Sequence, residues 1–241
     1  MTAALAWLAT LDWNAIAQII LIDILLGGDN AVIIALACRN LPARQRRAGV
    51  IWGAAGAIVL RVILITVAVA LLQVPLLKLV GGVLLLWIGI KLLAPADDGD
   101  AHGKLQASDR LLTAIRTIIV ADFVMSLDNV VAIAGVAENA DPSQRTGLII
   151  FGLVVSVPFI VFGAQLILKL LDRFPIIVTA GAALLGWIAG GLIVGDPVLL
   201  PVMPQDAVAH YAAGVAGAVI VVTVGRWLAR RRGTAGGPAH H

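Results

Sequence analysis

Two short stretches place acids and amides where a bilayer-crossing helix would carry only hydrocarbon. In the first, Asp23 is followed after five residues by Asp29-Asn30, with Gly27-Gly28 just before the pair. In the second, Asp122 is followed at the same spacing by Asp128-Asn129, with Ser126-Leu127 in place of the glycines. Carboxylate and amide oxygens are hard ligands, so Asp23, Asp29, Asn30, Asp122, Asp128 and Asn129 form a donor set suited to Mg2+, Mn2+ or Ca2+. The absence of neighbouring Cys or His argues against Zn2+ or Cu+. Each ionised Asp at the centre of a membrane helix costs about 2.5–3.5 kcal/mol, so four facing lipid would cost on the order of 10–14 kcal/mol. They are expected to face one another.

At about 100° per residue, positions seven apart nearly eclipse, so Asp23 shares a helix face with Asn30, and Asp122 with Asn129. Asp29 and Asp128 reach the same point only where the helix ends or unwinds. Gly27-Gly28 is the expected break, freeing carbonyls beside the acids. Ser126 takes the corresponding place in the second copy, so the first helix is expected to be the more broken. Arg61 lies in mid-span of the next apolar run, where a charge-balancing or gating role competes with plain pairing to Asp23 or Asp29. The blander account of the acids is protonated structural glue between helices, or ion pairing to Arg61. Two matched pairs favour a ligand site over either.

The elements that must position these residues follow from hydropathy. With 61% hydrophobic residues, 13% charged and a mean hydropathy of +1.02, the chain is a membrane protein. Its apolar runs predict an all-α polytopic fold of seven transmembrane helices near 14–38, 48–73, 76–94, 111–136, 147–171, 175–194 and 207–228. The residues before the first run lack the basic start of a signal peptide and are expected to stay on the mature protein. Cys38 is the lone cysteine and reads as a small buried residue. Trp52, Trp87, Trp187 and Trp227 read as interface anchors.

The two halves repeat beyond the acidic motifs. Asn30, Gln45-Arg46 and Gly53 match Asn129, Gln144-Arg145 and Gly152 at one constant offset. After a one-residue slip, Gly81, Leu84-Leu85 and Trp87-Ile88 match Gly181, Leu184-Leu185 and Trp187-Ile188. The units run over about 14–94 and 111–195, joined by a polar linker at 95–110; a seventh helix at 207–228 and a basic tail at 229–241 stand outside them. Three helices per unit is an odd number, so the repeats must be inverted, the architecture of secondary transporters with a midplane site. Asp97, Asp98, Asp100 and His102 in the linker read as solvated rather than as a metal sensor. Arg39, Arg44, Arg46 and Arg47 after the first helix, and Arg226, Arg230, Arg231 and Arg232 at the end, place those segments in the cytoplasm, with the N-terminus outside.

At Gly27-Gly28-Asp29-Asn30-Ala31 and Ser126-Leu127-Asp128-Asn129, with Asp23 and Asp122 upstream, the sequence resembles the TerC family of integral membrane proteins. The likeness is to its short, YjbE-like branch, within the LysE-like transporter superfamily, and runs over about residues 12–228. The resemblance implies Mn2+ efflux across the inner membrane, with Mn2+ as substrate and no catalytic cofactor; the choice of Mn2+ over Mg2+ or Ca2+ comes from the resemblance alone. Expected partners are the metal ion, the bilayer and either secretion machinery or a second copy of the chain, with no nucleic acid. Competing readings are a metallochaperone supplying Mn2+ to exported proteins and an exporter of a small organic cation or amino acid. An intramembrane aspartyl protease would need only two of the four carboxylates. The chain is not read as an enzyme.

Overall fold

The computed structural model describes residues 13–72, 74–94, 107–138 and 145–235, and its regular elements are helices. These are α1 (Trp13–Leu26), α2 (Gly28–Cys38), α3 (Ala43–Leu72), α4 (Leu77–Leu93), α5 (Ala107–Glu138), α6 (Arg145–Arg173), α7 (Ile176–Val194) and α8 (Ala207–Ala235). Lipid offers the backbone no hydrogen-bond partner, so apolar runs of this length satisfy their amides internally as helices. Leu25, Trp52, Val59, Trp87, Phe162 and Trp227 point outward on the bundle surface, as lipid-facing side chains do.

The first expected helix is two. α1 and α2 meet at Gly27 with a bend of 48° between Ile16–Leu25 and Gly28–Cys38. A Cβ on Gly27 would run into the backbone carbonyl of Asp23, whereas one on Gly28 would meet nothing within 4 Å. Gly27 is therefore the residue the bend requires. The corresponding part of α5 is unbroken through Ser126.

Four helices are individually long and apolar enough to cross a bilayer, namely Ala43–Ile65, Gly147–Arg173, Ile176–Val194 and Ala207–Arg231; the bent pair makes a fifth. Seven were expected. α4 has 17 residues, or about 25 Å at 1.5 Å per residue, short of a hydrocarbon core of about 30 Å. α5 carries Asp109, Arg110, Arg116, Asp122 and Asp128 along its length.

Three boundaries differ, one of them the start of α5 at Ala107, inside the linker expected at 95–110. Arg44, Arg46 and Arg47 lie on the first turns of α3 rather than in a loop, because the chain re-enters a helix directly after Pro42. α8 continues through Arg230 and Arg231 to Ala235 rather than ending in a tail at 229. Linker residues 95–106, including Asp97, Asp98, Asp100 and His102, lie outside the described residues, as do 1–12, 139–144 and 236–241.

α3 packs on α5, α6 on both α1 and α2, and α4 on α7, while α8 lies against α7 and α4. Two close seams form a matched pair. A Cβ on Gly53 of α3 would lie 2.5 Å from Cδ1 of Ile118 on α5, and one on Gly152 of α6 would lie 2.6 Å from Cγ2 of Ile19 on α1. Each residue of the first contact maps onto one of the second at the offset that carries Asn30 onto Asn129. Three apolar clusters enclose the middle of the bundle. One joins α2, α3, α5 and α6 through Ile34, Val50, Ile118 and Leu168; a second joins α1, α3 and α6 through Ile19, Ile58 and Leu153. The third joins α2, α4, α5 and α7 through Ile33, Leu85, Val124 and Leu185. Cys38 is buried in the first of these, a packing residue.

Candidate intramembrane cation site

Asp23 lies one turn before the break and is 1% exposed; Asp122, on α5, is 3% exposed. Arg61 projects from α3 between them and is itself 2% exposed. Its Nη1 donates to Asp23 Oδ1, its Nη2 donates to Asp122 Oδ1 at 2.7 Å, and its Nε donates to Ser126 Oγ at 3.2 Å. Ser126, one turn beyond Asp122, donates in turn to Asp122 Oδ2 at 3.1 Å. The second oxygen of Asp23 accepts from the hydroxyl of Ser156 on α6. Four helices thus contribute to one buried polar network, and with all three charged groups ionised it carries one negative charge in excess.

Asn30 stands beside this network on the first turn of α2. It is 4% exposed, and neither its Oδ1 nor its Nδ2 has a hydrogen-bond partner. Leaving both halves of a buried amide unmet costs about 1–3 kcal/mol per group, so an orphan of this kind requires an explanation. Asn30 and Asp122 line a small cavity with Ile33, Ile34 and Ile118. Its volume of about 10 Å³ is at the lower limit for one water. The orphaned amide therefore faces the acidic network across a space of atomic size.

Asp29 is half-buried and accepts the backbone N–H of Asn30 at 2.8 Å, at the start of α2, where the exposed N–H groups of the helix favour a negative charge. Asn129 is half-buried on α5, and the side chain of Asp128 lies outside the described residues. Arg61 pairs with Asp23 and Asp122 rather than with Asp29. Among the described residues no three of His, Cys, Asp and Glu converge as a ready metal site. What the geometry does bring together is Asp23, Asp122 and Ser126 around the Arg61 guanidinium, with Ser156 on Asp23 and the oxygen-bearing Asn30 across a small cavity from Asp122.

Residues 8–233 match the model of the integral membrane protein TerC family. The chain belongs to the TerC family. Membrane protein YjbE of Bacillus subtilis (strain 168) is 43% identical over 184 residues, 76% of this chain and 81% of that protein. The inner membrane protein YgdQ of Escherichia coli (strain K12) is 28% identical over 186 residues, 70% of this chain and 76% of its own length. Membrane protein YceF of Bacillus subtilis is 24% identical over 185 residues, 74% and 70% of the two chains. No solved structure matches. The chain is accordingly a multi-pass integral membrane protein of the TerC family.

Two polar residues of this TerC chain escaped the reading of its sequence. Ser156 is a single hydroxyl in an apolar run, and the matching position in the first repeat holds Ala57, so no repeated pattern marks it. Asp196, after α7, is buried, its Oδ1 accepting the backbone N–H groups of Leu76 at 3.2 Å and Val198 at 2.9 Å, and its Oδ2 that of Leu79 at 2.9 Å. Burial works to raise its pKa, but the N–H donors of Leu79, Val198 and Leu76 outweigh it and hold the carboxyl below the usual range. Asp196 ties the turn after α7 to the first turn of α4, where Leu76 sits at φ 67°. It is a structural clamp.

Proposed function

We propose that this TerC chain is a secondary transporter exporting a divalent cation, with Mn2+ the first candidate, from the cytoplasm across the inner membrane, and that protons compete with the ion for its carboxylates. The observation that carries the reading is the pairing of two fully buried carboxylates, from helices in different halves of the chain, with a buried amide that lacks any partner. Intramembrane acids are functional by default, and an oxygen-only donor set suits a hard divalent ion. Asp23, Asn30 and Asp122, with Asp29, Asp128 and Asn129 close in sequence, would supply the ligands as the helices rearrange around the break at Gly27.

Seven spans in two inverted three-helix repeats fit the contacts. Arg46 Nη1, at the start of α3, bonds Asp172 at the end of α6 at 2.7 Å, and Arg39 Nη2, after α2, bonds the Leu92 carbonyl at the end of α4 at 3.0 Å. Asp196, after α7, bonds the start of α4. Counting the bent α1–α2 pair as one span and α4 and α5 as spans puts each of these contacts on a single side of the membrane. The matched Gly53–Ile118 and Gly152–Ile19 seams support the two-fold relation. The arginines at 39, 44, 46 and 47 favour the cytoplasm for the first of these sides, with the N-terminus outside and the C-terminus inside.

Radiolabelled Mn2+ flux in proteoliposomes tests the transport reading. Asp23→Asn and Asp122→Asn are each expected to cut it at least about ten-fold, a loss of about 1.4 kcal/mol or more in the rate-limiting step. Undiminished flux in both variants overturns it, and saturable Mn2+ binding without flux in the wild type favours metal delivery over export.

A further inference from the structure

The guanidinium of Arg61 occupies the space in which a cation would be bound. All three of its nitrogens donate to oxygens of the candidate site, Asp23 Oδ1, Asp122 Oδ1 and Ser126 Oγ. A metal ion taking Asp23 and Asp122 as joint ligands competes for carboxylates whose Oδ1 atoms Arg61 holds and whose Oδ2 atoms accept from Ser156 and Ser126, and a dication beside a guanidinium in a buried site meets strong repulsion. The two cations exclude one another.

The repeat sharpens the point. At the offset that carries Asp23 onto Asp122, Ser126 corresponds to Gly27 and Arg61 to Ile160. The structure places those counterparts together as well, since a Cβ on Gly27 would lie 3.7 Å from Cδ1 of Ile160. The same contact between the same helix positions is made once by Arg61 and Ser126 and once by Ile160 and Gly27. The bundle therefore builds this corner with an isoleucine, and the arginine answers a need other than packing. That need is charge, because two buried carboxylates without a partner are strongly destabilising.

We propose that Arg61 is a tethered counter-cation: it fills the carboxylates when the substrate ion is absent and withdraws when the ion binds. The inference rests on the transport reading and adds a consequence to it. A carrier whose empty site is already charge-compensated can reorient without a bound ion, which allows net efflux rather than only exchange of one metal ion for another. Occupancy by Arg61 also weakens metal binding by the fraction of time the carboxylates are held, and removing it lifts that burden.

The test measures equilibrium binding of MnCl2 to the purified full chain, with Arg61→Gln and Arg61→Lys beside the wild type. Arg61→Gln is expected to bind Mn2+ at least ten-fold more tightly. Arg61→Lys, whose single ammonium cannot bridge both acids, is expected to fall between the two, and retains a folded charge-balanced protein if the glutamine variant fails to fold. Millimolar guanidinium chloride is expected to weaken Mn2+ binding to Arg61→Gln and leave the wild type unchanged, a response that a purely structural arginine would not produce. In proteoliposomes Arg61→Gln is expected to keep Mn2+/Mn2+ exchange while losing net efflux. Wild type that binds Mn2+, with neither variant binding more tightly, overturns the proposal. Absence of Mn2+ binding in the wild type and both variants overturns the transport reading itself, and the proposal with it.

Discussion

Two carboxylates sharing one guanidinium predict opposite consequences for removing an acid and removing the base. At about 4 Å between charge centres and an effective dielectric near 20, each Arg61–carboxylate attraction is worth about 4 kcal/mol gross. The two acids are held farther apart, on either side of the guanidinium, and repel each other by roughly 2 kcal/mol. Asp122→Asn loses one attraction, is relieved of the repulsion, keeps a neutral hydrogen bond worth about 1 kcal/mol, and no longer desolvates an anion, a cost of several kcal/mol. The net change in metal-free stability is therefore expected within about 1 kcal/mol of zero, or positive. Arg61→Met loses both attractions and leaves two buried anions facing each other, a loss of about 3–5 kcal/mol. The assay is unfolding of the purified protein in detergent with EDTA, followed by tryptophan fluorescence, and repeated with Mn2+. At Mn2+ one hundred times its Kd the wild type should gain about 2.7 kcal/mol and Asp122→Asn should gain nothing. Equal destabilisation by Asp122→Asn and Arg61→Met in EDTA would refute the reasoning, because it would make the triad a balanced structural bridge rather than a site with an acid in surplus.

Other expectations rest on single contacts. Gly27→Ala sets a Cβ against the Asp23 carbonyl and should cost about 1–3 kcal/mol along with most Mn2+ flux, while Gly28→Ala, with open space around it, should change stability by less than about 1 kcal/mol; thermal unfolding and flux compare them. On the seam between α7 and α8 a Cβ on Gly190 meets the Ala213 carbonyl and one on Gly217 meets that of Gly186, so Gly190→Val should cost about 3 kcal/mol in the same unfolding assay. Asp196→Ala strips three N–H donors of their acceptor and should cost about 3 kcal/mol at neutral pH. Because the folded pKa of Asp196 is depressed, its contribution is fully present above the unfolded value of about 3.9 and is lost as pH falls through the lower folded value; unfolding midpoints of wild type and Asp196→Ala should converge only in that acid range.

The features legible in the sequence were those that occur twice or that break a strong rule. Acids in an apolar run, glycines before one of them and an arginine in mid-span each violate the expectation for a lipid-facing helix, and Gly27 does break its helix where the sequence suggested. The limits of helices were less legible, because helices propagate past the apolar stretch wherever polar residues remain compatible with them, as at Arg44 to Arg47 and from Ala229 to Ala235. Asp196 was invisible for a different reason, since nothing local distinguishes a loop carboxylate in water from one that captures the first turn of a helix far away in the chain.

Ser156 and Arg61 show where reading by repeats stops. Duplication makes a motif conspicuous because both copies retain it, but their partners in the opposite half are Ala57 and Ile160, so a search for symmetry passes over both. Both touch Asp23, Ser156 through its hydroxyl and Arg61 through Nη1. Asp122 receives the same arginine, yet its hydroxyl donor, Ser126, comes from its own helix. The two acids thus hold matching positions in the sequence repeat and are unequal in support: Asp23 is tied across helices to α3 and α6, whereas Asp122, among the described residues, is tied to α3 and within α5. Movement of α6 relative to α1 must therefore disturb Asp23 while leaving the Asp122–Ser126 contact intact. In a carrier whose halves rock against each other, each acid keeps one tie within its own half and one across: Asp23 holds Arg61 within the first half and Ser156 across, and Asp122 holds Ser126 within the second half and Arg61 across. The departure from two-fold symmetry is in the partner groups: the contact across the halves is a neutral hydroxyl for Asp23 and a guanidinium for Asp122.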